Sequence, residues 1–277
     1  MRESRLLAVL LNAVTWLLIA AISFPLFWMI STALRPETEL FRRPPALLPS
    51  QPTLENFLRL LRETPFPTYM MNSAVVALCT TAVVIAMGLM GAYGISRFRF
   101  AGRKALLRAV LLTYLLPSVV LFLPVYMMMA RLGLVNSLFG LVLAYTTFAL
   151  PFALWLLRGF IDAIPIDLEH AALVDGASRL ECFIDVVIPQ AMPGIISTSL
   201  FTFILSWNEY LYALVLIGRD SNKTLPPGVM TMLTSTFQVE WAMLMAASVL
   251  MSLPLIISFA FLQRHLTKGF GAGALKG

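Results

Sequence analysis

Apolar and polar segments alternate along the chain, and six of the apolar stretches are long enough to be helices that cross a bilayer: residues 6–34, 71–93, 105–130, 138–157, 191–217 and 241–262. A hydrocarbon core about 30 Å thick needs about 20 helical residues at about 1.5 Å each. The pattern predicts an all-α membrane protein with six transmembrane helices, organised as a single domain over residues 1–277. The first stretch is uncharged for much longer than the roughly 7–15 residues of a signal-peptide core, so it is expected to be an uncleaved span.

Two of the intervening polar segments are distinctive. The first, about residues 35–70, holds Pro36, Pro44, Pro45, Pro49, Pro52, Pro65 and Pro67, which forbid one continuous helix. Between these prolines Leu54, Phe57, Leu58 and Leu61 recur at helical spacing, opposite Glu55, Arg59 and Arg62, with Thr53 placed to cap the start. A short amphipathic helix lying along the membrane surface is expected. The second segment, about residues 158–190, is long for a connection between neighbouring spans. Pro165 can open a short helix there, and Asp167 and Glu169 in its first turn complement the positive end of the dipole. Gly176 can stop that helix in a left-handed conformation, while Ala171, Ala172 and Ala177 are small enough for another protein surface to approach. The expected object is a small helix seated in a partner's groove.

Within the spans, Ala82, Ala86, Gly88, Gly91, Ala92 and Gly94 favour close helix packing, and Pro117, Pro124, Pro151 and Pro254 are expected to break or kink their helices. Composition agrees with this reading. The chain is 59% hydrophobic and 12% charged, whereas roughly a quarter of the residues in soluble domains are charged. Its net charge of +6 is the excess that basic cytoplasmic loops produce, so no nucleic-acid partner is called for. Arg97, Arg99, Arg103 and Lys104 follow the second span and Arg131 alone follows the third, which places the former connection in the cytoplasm. Both termini, with Arg2 and Arg5 at one end and Arg264, Lys268 and Lys276 at the other, then lie on the same side. The first outer loop resists the rule, since it carries Arg35, Arg42, Arg43, Arg59 and Arg62 alongside Glu37, Glu39, Glu55 and Glu63. Cys79 and Cys182 read as two unpaired thiols rather than a disulfide or metal site.

Catalytic chemistry finds no foothold. There is no phosphate-binding G-x-x-x-x-G-K-[ST] loop and no zinc or hydrolase motif, and His170 and His265 suit solvated or interface positions. No enzyme activity, cofactor or metal is expected of this chain. Glu209, in Ser206-Trp207-Asn208-Glu209-Tyr210, is the acidic exception inside a span. A charge there costs about 2.5–3.5 kcal/mol on insertion scales. Trp207, Asn208, Glu209 and Tyr210 are therefore candidates for lining a translocation path, with packing or hydrogen bonding between helices an equal alternative. Otherwise the spans are nearly bare of the ionisable groups that ion-driven carriers use, which weakens an ion-coupled carrier or channel; a scaffold without transport leaves the spacing of the polar loop unexplained.

The sequence Ala171-Ala172, Asp175-Gly176-Ala177 and Val186-Val187-Ile188-Pro189 resembles the signature loop of bacterial ABC-importer permeases, E-A-A-x-x-D-G-A followed at fixed spacing by I-x-L-P. His170 occupies the usual glutamate position, with Glu169 one residue earlier. Further stretches, Ser31-Thr32-Ala33-Leu34-Arg35-Pro36, Asn72-Ser73, Ala92-Tyr93-Gly94-Ile95-Ser96-Arg97-Phe98, Trp207-Asn208-Glu209 and the ending Lys268-Gly269-Phe270-Gly271-Ala272-Gly273-Ala274-Leu275-Lys276-Gly277, narrow the resemblance to the carbohydrate-type group, on the side of the smaller maltose-type permease. The resemblance implies type I importer architecture with a cytoplasmic coupling helix and a place in a bacterial inner membrane. It also implies a second, different permease, two ATPase subunits that bind ATP and Mg, and an extracytoplasmic solute-binding protein. Coupling would fall to Glu169, His170, Ala171, Ala172, Asp175, Gly176, Ala177 and Pro189; within the cytoplasmic tail, about 263–277, the stretch Gly269 to Gly277 would reach toward the ATPase, with a solvated tail an equal alternative.

Overall fold

The computed structural model describes the backbone of residues 2–42, 46–234 and 240–271. Regular structure among these residues is helical throughout. Five helices are long and apolar enough to cross a membrane, 10–33, 66–97, 138–162, 179–207 and 241–260, and a sixth span is available if one bent pair is counted as a single crossing.

That bent pair is the expected third span. Helices α5 (Arg103–Leu115) and α6 (Ser118–Arg131) meet at 102°. The cause is local: Pro117 supplies no N–H and crowds the residue before it, so Leu116 is extended at φ −70° and ψ 129° and the helix stops. Pro124, Pro151 and Pro254 do not interrupt their elements; α6, α7 (Leu138–Asp162) and α13 (Trp241–Gly271) run through them.

The fifth span also differs from its expected limits. It begins at Arg179 rather than at residue 191, passing through α9 (Arg179–Glu181) and a π-helical stretch Cys182–Val187 into α10 (Ile188–Trp207). Ser178 and Glu181 form a reciprocal capping box, which fixes the start. The wide turn immediately precedes Pro189, which cannot donate to an ordinary helical bond. Residues 208–210 interrupt the helix, and α11 (Leu211–Leu216) follows as a separate short helix. The polar loop is thus shorter and more helical than its sequence suggests.

The chain divides into two compact units, residues 1–67 with 229–253 and residues 68–228 with 254–277. In the first unit, α1 (Arg2–Ala33) leads into α2 (Glu37–Leu40) and α3 (Glu55–Glu63). Arg35 is buried there. Its guanidinium donates to Ser31 Oγ at 3.0 Å and to the Ala46 carbonyl at 2.6 Å, and stands 5.1 Å from the Trp28 ring centroid. Asn56 Nδ2 donates to the carbonyls of Ala33 and Arg35, and Glu37 accepts from the backbone amides of Trp241 and Ala242 at the start of α13. Arg59 donates to Glu240 at 2.9 Å. These contacts occupy two of the five arginines that resist the positive-inside rule, Arg35 and Arg59. On α3, Thr53 Oγ1 accepts from the Glu55 amide. Leu60 and Asn56 point inward while Leu54, Leu58 and Leu61 of the expected apolar stripe stay exposed.

In the second unit, α4 (Phe66–Arg97), α7 and α10 carry the core. Leu157, Ile161, Val187, Ala191 and Ala92 are buried together. Gly194 lets α10 pack closely on α7, since a Cβ there would fall into the Phe160 ring. A second core gathers Leu141, Tyr145, Tyr212 and Leu216 around α11. Asn72 Nδ2 donates to the carbonyls of Ser221 and Lys223, and Ser73 Oγ accepts from the Leu225 amide, pinning the segment that leads into α12 (Leu225–Thr234).

Candidate functional site

The expected small helix is present as α8 (Ile166–Val174), with Pro165 at its N-cap. Its end is built as foreseen from Gly176, which adopts φ +95°. The Ala177 amide donates to the Ala172 carbonyl and the Gly176 amide to the Leu173 carbonyl, the paired bonds of a Schellman motif. His170, Ala171, Val174, Asp175 and Gly176 are exposed, Ala172 and Ala177 half-buried, and Pro189 exposed at the first turn of α10. The helix therefore offers an open surface on which small and aliphatic residues stand beside the His170 imidazole and the Asp175 carboxylate.

Glu169 departs from the expectation that it is offered to a partner. Its side chain is 1% exposed, and its carboxylate accepts from Arg97 Nε at 2.5 Å and from the Tyr93 hydroxyl at 2.9 Å. Arg97 also donates through Nη2 to the Ile164 carbonyl at 2.9 Å, so one guanidinium holds both the loop before α8 and the helix itself. Helical periodicity explains both sides of this clasp. Tyr93 and Arg97 are four residues apart and share one face of α4, whereas the neighbours Glu169 and His170 point in different directions on α8. Cys182 and Phe183 close the site: the Cys182 thiol lies 3.8 Å from the Glu169 carbonyl, and the Phe183 ring is 4.7 Å from that of Tyr93. A charge pair this deep is stabilising only when its remaining lone pairs are satisfied. The tyrosine hydroxyl and the second guanidinium bond meet that condition.

The four candidate path residues are not brought together. Trp207 is buried and lines a cleft of 610 Å³ with Met70, Leu78, Leu200 and Phe203. Glu209 faces a different cleft, 560 Å³, bounded by Tyr114, Ser118, Val125, Phe148 and Tyr212. Asn208 bonds back to the Ile204 carbonyl, and Tyr210 is exposed. The Glu209 carboxylate accepts from the amides of Tyr212 at 2.9 Å and Ala213 at 3.1 Å, capping α11. Both its oxygens therefore have a structural occupation at the break in the span.

Tyr93 and Arg97, which hold Glu169, are the residues of this cluster that sequence reasoning did not select. The available signal was their spacing at the end of the second span, combined with a glutamate that the signature loop displaces by one position. The tail beyond residue 271 lies outside the described residues, and with it most of the segment expected to reach the ATPase.

Residues 82–271, more than half of the chain, match the family described as the binding-protein-dependent transport system inner membrane component. The chain belongs to this family. The permease is 35% identical to the diacetylchitobiose uptake system permease protein DasC of Streptomyces coelicolor, over 96% of each chain. It is 32% identical to the trehalose/maltose transport system permease protein MalG of Thermococcus litoralis, over 100% of each. Its fold matches a subunit in the crystal structure of a bacterial ABC transporter involved in the import of the acidic polysaccharide alginate, with a TM-score of 0.82, 21% identity, and coverage of 95% of this chain and 98% of that one. The match supports the all-α permease fold.

Proposed function

We propose that the permease forms half of the translocation pathway of an ATP-driven importer for a carbohydrate or sugar-like solute, in a bacterial inner membrane with both termini in the cytoplasm. A second, different permease completes the pathway, two ATPase subunits supply the energy, and an extracytoplasmic solute-binding protein delivers the substrate. The observation that carries this reading is α8 itself: a short helix with an exposed small-residue face, whose opposite side is fastened to the end of α4 by the Arg97, Tyr93 and Glu169 clasp. A docked partner that pushes α8 thereby pushes a span, since the clasp joins them through buried charge-assisted bonds.

His170, Ala171, Ala172, Asp175, Gly176 and Ala177 make up the proposed docking surface, with Pro189 at the turn into α10. Because Glu169 is committed internally and His170 replaces the signature acid, docking rests on shape rather than on an acidic contact. The carbohydrate assignment is supported by the relatives named for diacetylchitobiose and for trehalose or maltose. An ion-coupled carrier is disfavoured by the occupation of Glu209, whose carboxylate caps α11. Uptake of labelled disaccharides by cells lacking only this chain tests the proposal. Loss of ATP-dependent uptake of one sugar class, restored by the intact gene, is expected; unchanged uptake of every sugar offered overturns it.

A further inference from the structure

The connection from α4 to α5 brings Phe98, Arg99 and Phe100 to the surface, followed on α5 by Arg103, Lys104 and Arg108. Among the described residues, Arg97 is paired with Glu169, Arg59 with Glu240 and Arg158 with Asp162, whereas none of Arg99, Arg103, Lys104 and Arg108 enters an ion pair. Beside this cluster lies a cleft of 310 Å³ whose walls include Gly94, Phe98, Phe100, Leu106, Val110 and Leu154. The groove floor is open: a Cβ built on Gly94 would meet no atom within 4 Å.

Cytoplasmic loop bias accounts for basic residues in this connection, but not for their standing at the mouth of an apolar groove with two exposed phenylalanines at its rim. A purely acidic protein surface would complement the cations and leave the groove empty. An amphiphile with an anionic head satisfies both, because guanidinium groups bind phosphate through paired hydrogen bonds while an acyl chain fills the apolar cleft. We propose that this groove and its basic rim bind an anionic phospholipid of the surrounding bilayer, with the phosphate at Arg99, Arg103 and Lys104 and one acyl chain between α4, α5 and α7. The Phe98 ring stands edge-on to Tyr93 with centroids 6.0 Å apart, so the lipid abuts the clasp that holds α8.

The assembled transporter, extracted into nanodiscs containing equal phosphatidylglycerol and phosphatidylcholine, is examined by native mass spectrometry for retained lipid. The intact complex is expected to retain phosphatidylglycerol in preference to phosphatidylcholine by roughly tenfold. The triple variant Arg99→Gln, Arg103→Gln, Lys104→Gln should lose that preference, and Gly94→Leu, which fills the groove, should lower retention of both lipids. Arg131→Gln, the loss of one basic charge elsewhere, should leave both unchanged. Equal retention of the two lipids by the intact complex, or an undiminished preference in the triple variant, overturns the proposal. So does a triple variant that keeps its lipid but sheds the ATPase, since the basic rim would then be a protein interface.

Discussion

Arg97 and Glu169 are separated by 72 residues of sequence and joined by a 2.5 Å contact between Nε and Oε1, with side-chain exposures of 8% and 1%. One lies at the end of α4 and the other in the first turn of α8. Removing one member of such a buried pair leaves an uncompensated charge, at a cost of about 3–5 kcal/mol. Arg97→Gln and Glu169→Gln are each expected to loosen α8 from α4. In the reconstituted complex ATP hydrolysis should then persist while solute uptake falls roughly tenfold or more, as expected when coupling loses more than about 1.4 kcal/mol. Tyr93→Phe, which removes one hydrogen bond to a charged group, should have a smaller effect in the same direction. Coupled uptake at the normal rate in both charge variants would show that the clasp transmits nothing.

Gly176 tests the other end of the helix. Its φ of +95° lies where L side chains are strained, yet no neighbouring atom obstructs a Cβ. The cost of Gly176→Val is therefore backbone strain alone, about 1–3 kcal/mol. The variant should insert in the membrane and assemble, but hydrolyse ATP with less uptake per turnover. Gly176→Asn, which tolerates the left-handed region better, should fall between it and the parent. A valine variant with normal transport would separate the turn from coupling.

Glu209 is predicted to act through the helix it caps. Loss of an N-terminal cap costs about 0.5–2 kcal/mol, so Glu209→Ala should weaken uptake while the complex still forms. Glu209→Gln retains one acceptor oxygen and should lie closer to the parent. Size-exclusion chromatography of the complex distinguishes the outcomes: an alanine variant that no longer assembles would make the residue a packing element and not part of the path.

Between α2 and α3, the Glu39 carboxylate accepts from the Ser50 amide at 2.9 Å, which holds its pKa below the ordinary carboxylate value. A lowered folded-state pKa means stability that is present above the unfolded value and lost as pH falls through the folded one. Protease protection of the segment between residues 37 and 52 should accordingly decline as the pH drops below about 4.3. Glu39→Gln should be less protected at neutral pH and show a flatter pH response; an identical profile in the two proteins would remove Glu39 from the account.

The particular residues explain how far the sequence could be read. Apolar runs identify spans because the bilayer dictates their length, and Gly176 was legible because a helix stop followed by signature residues has one economical geometry. The break at Leu116 was foreseeable as a proline effect, although its angle was not, since that depends on what α5 and α6 pack against. The early start of the fifth span was written in Ser178 and Glu181, a capping box hidden by the polar character of the surrounding loop. The clasp was the least legible part. Arg97 reads as one of several topological cations and Glu169 as a residue facing a partner, and only the fold brings the two together. The stretches Ser31 to Pro36 and Asn72-Ser73, which contributed to the resemblance, prove to be fasteners of the segment between α1 and α3 and of the segment before α12.

Under the proposed function, α8 is the point at which an ATPase drives this permease. A cysteine at Ala171, on the exposed face, introduced into the assembled transporter and treated with a short bifunctional thiol reagent, tests it most directly. A cross-linked product containing this chain and an ATPase subunit bearing a cysteine in its receiving groove is expected, with a yield that changes when ATP is bound. An ATPase that copurifies but never cross-links at Ala171, while cysteines elsewhere on the chain do react with it, would contradict the claim.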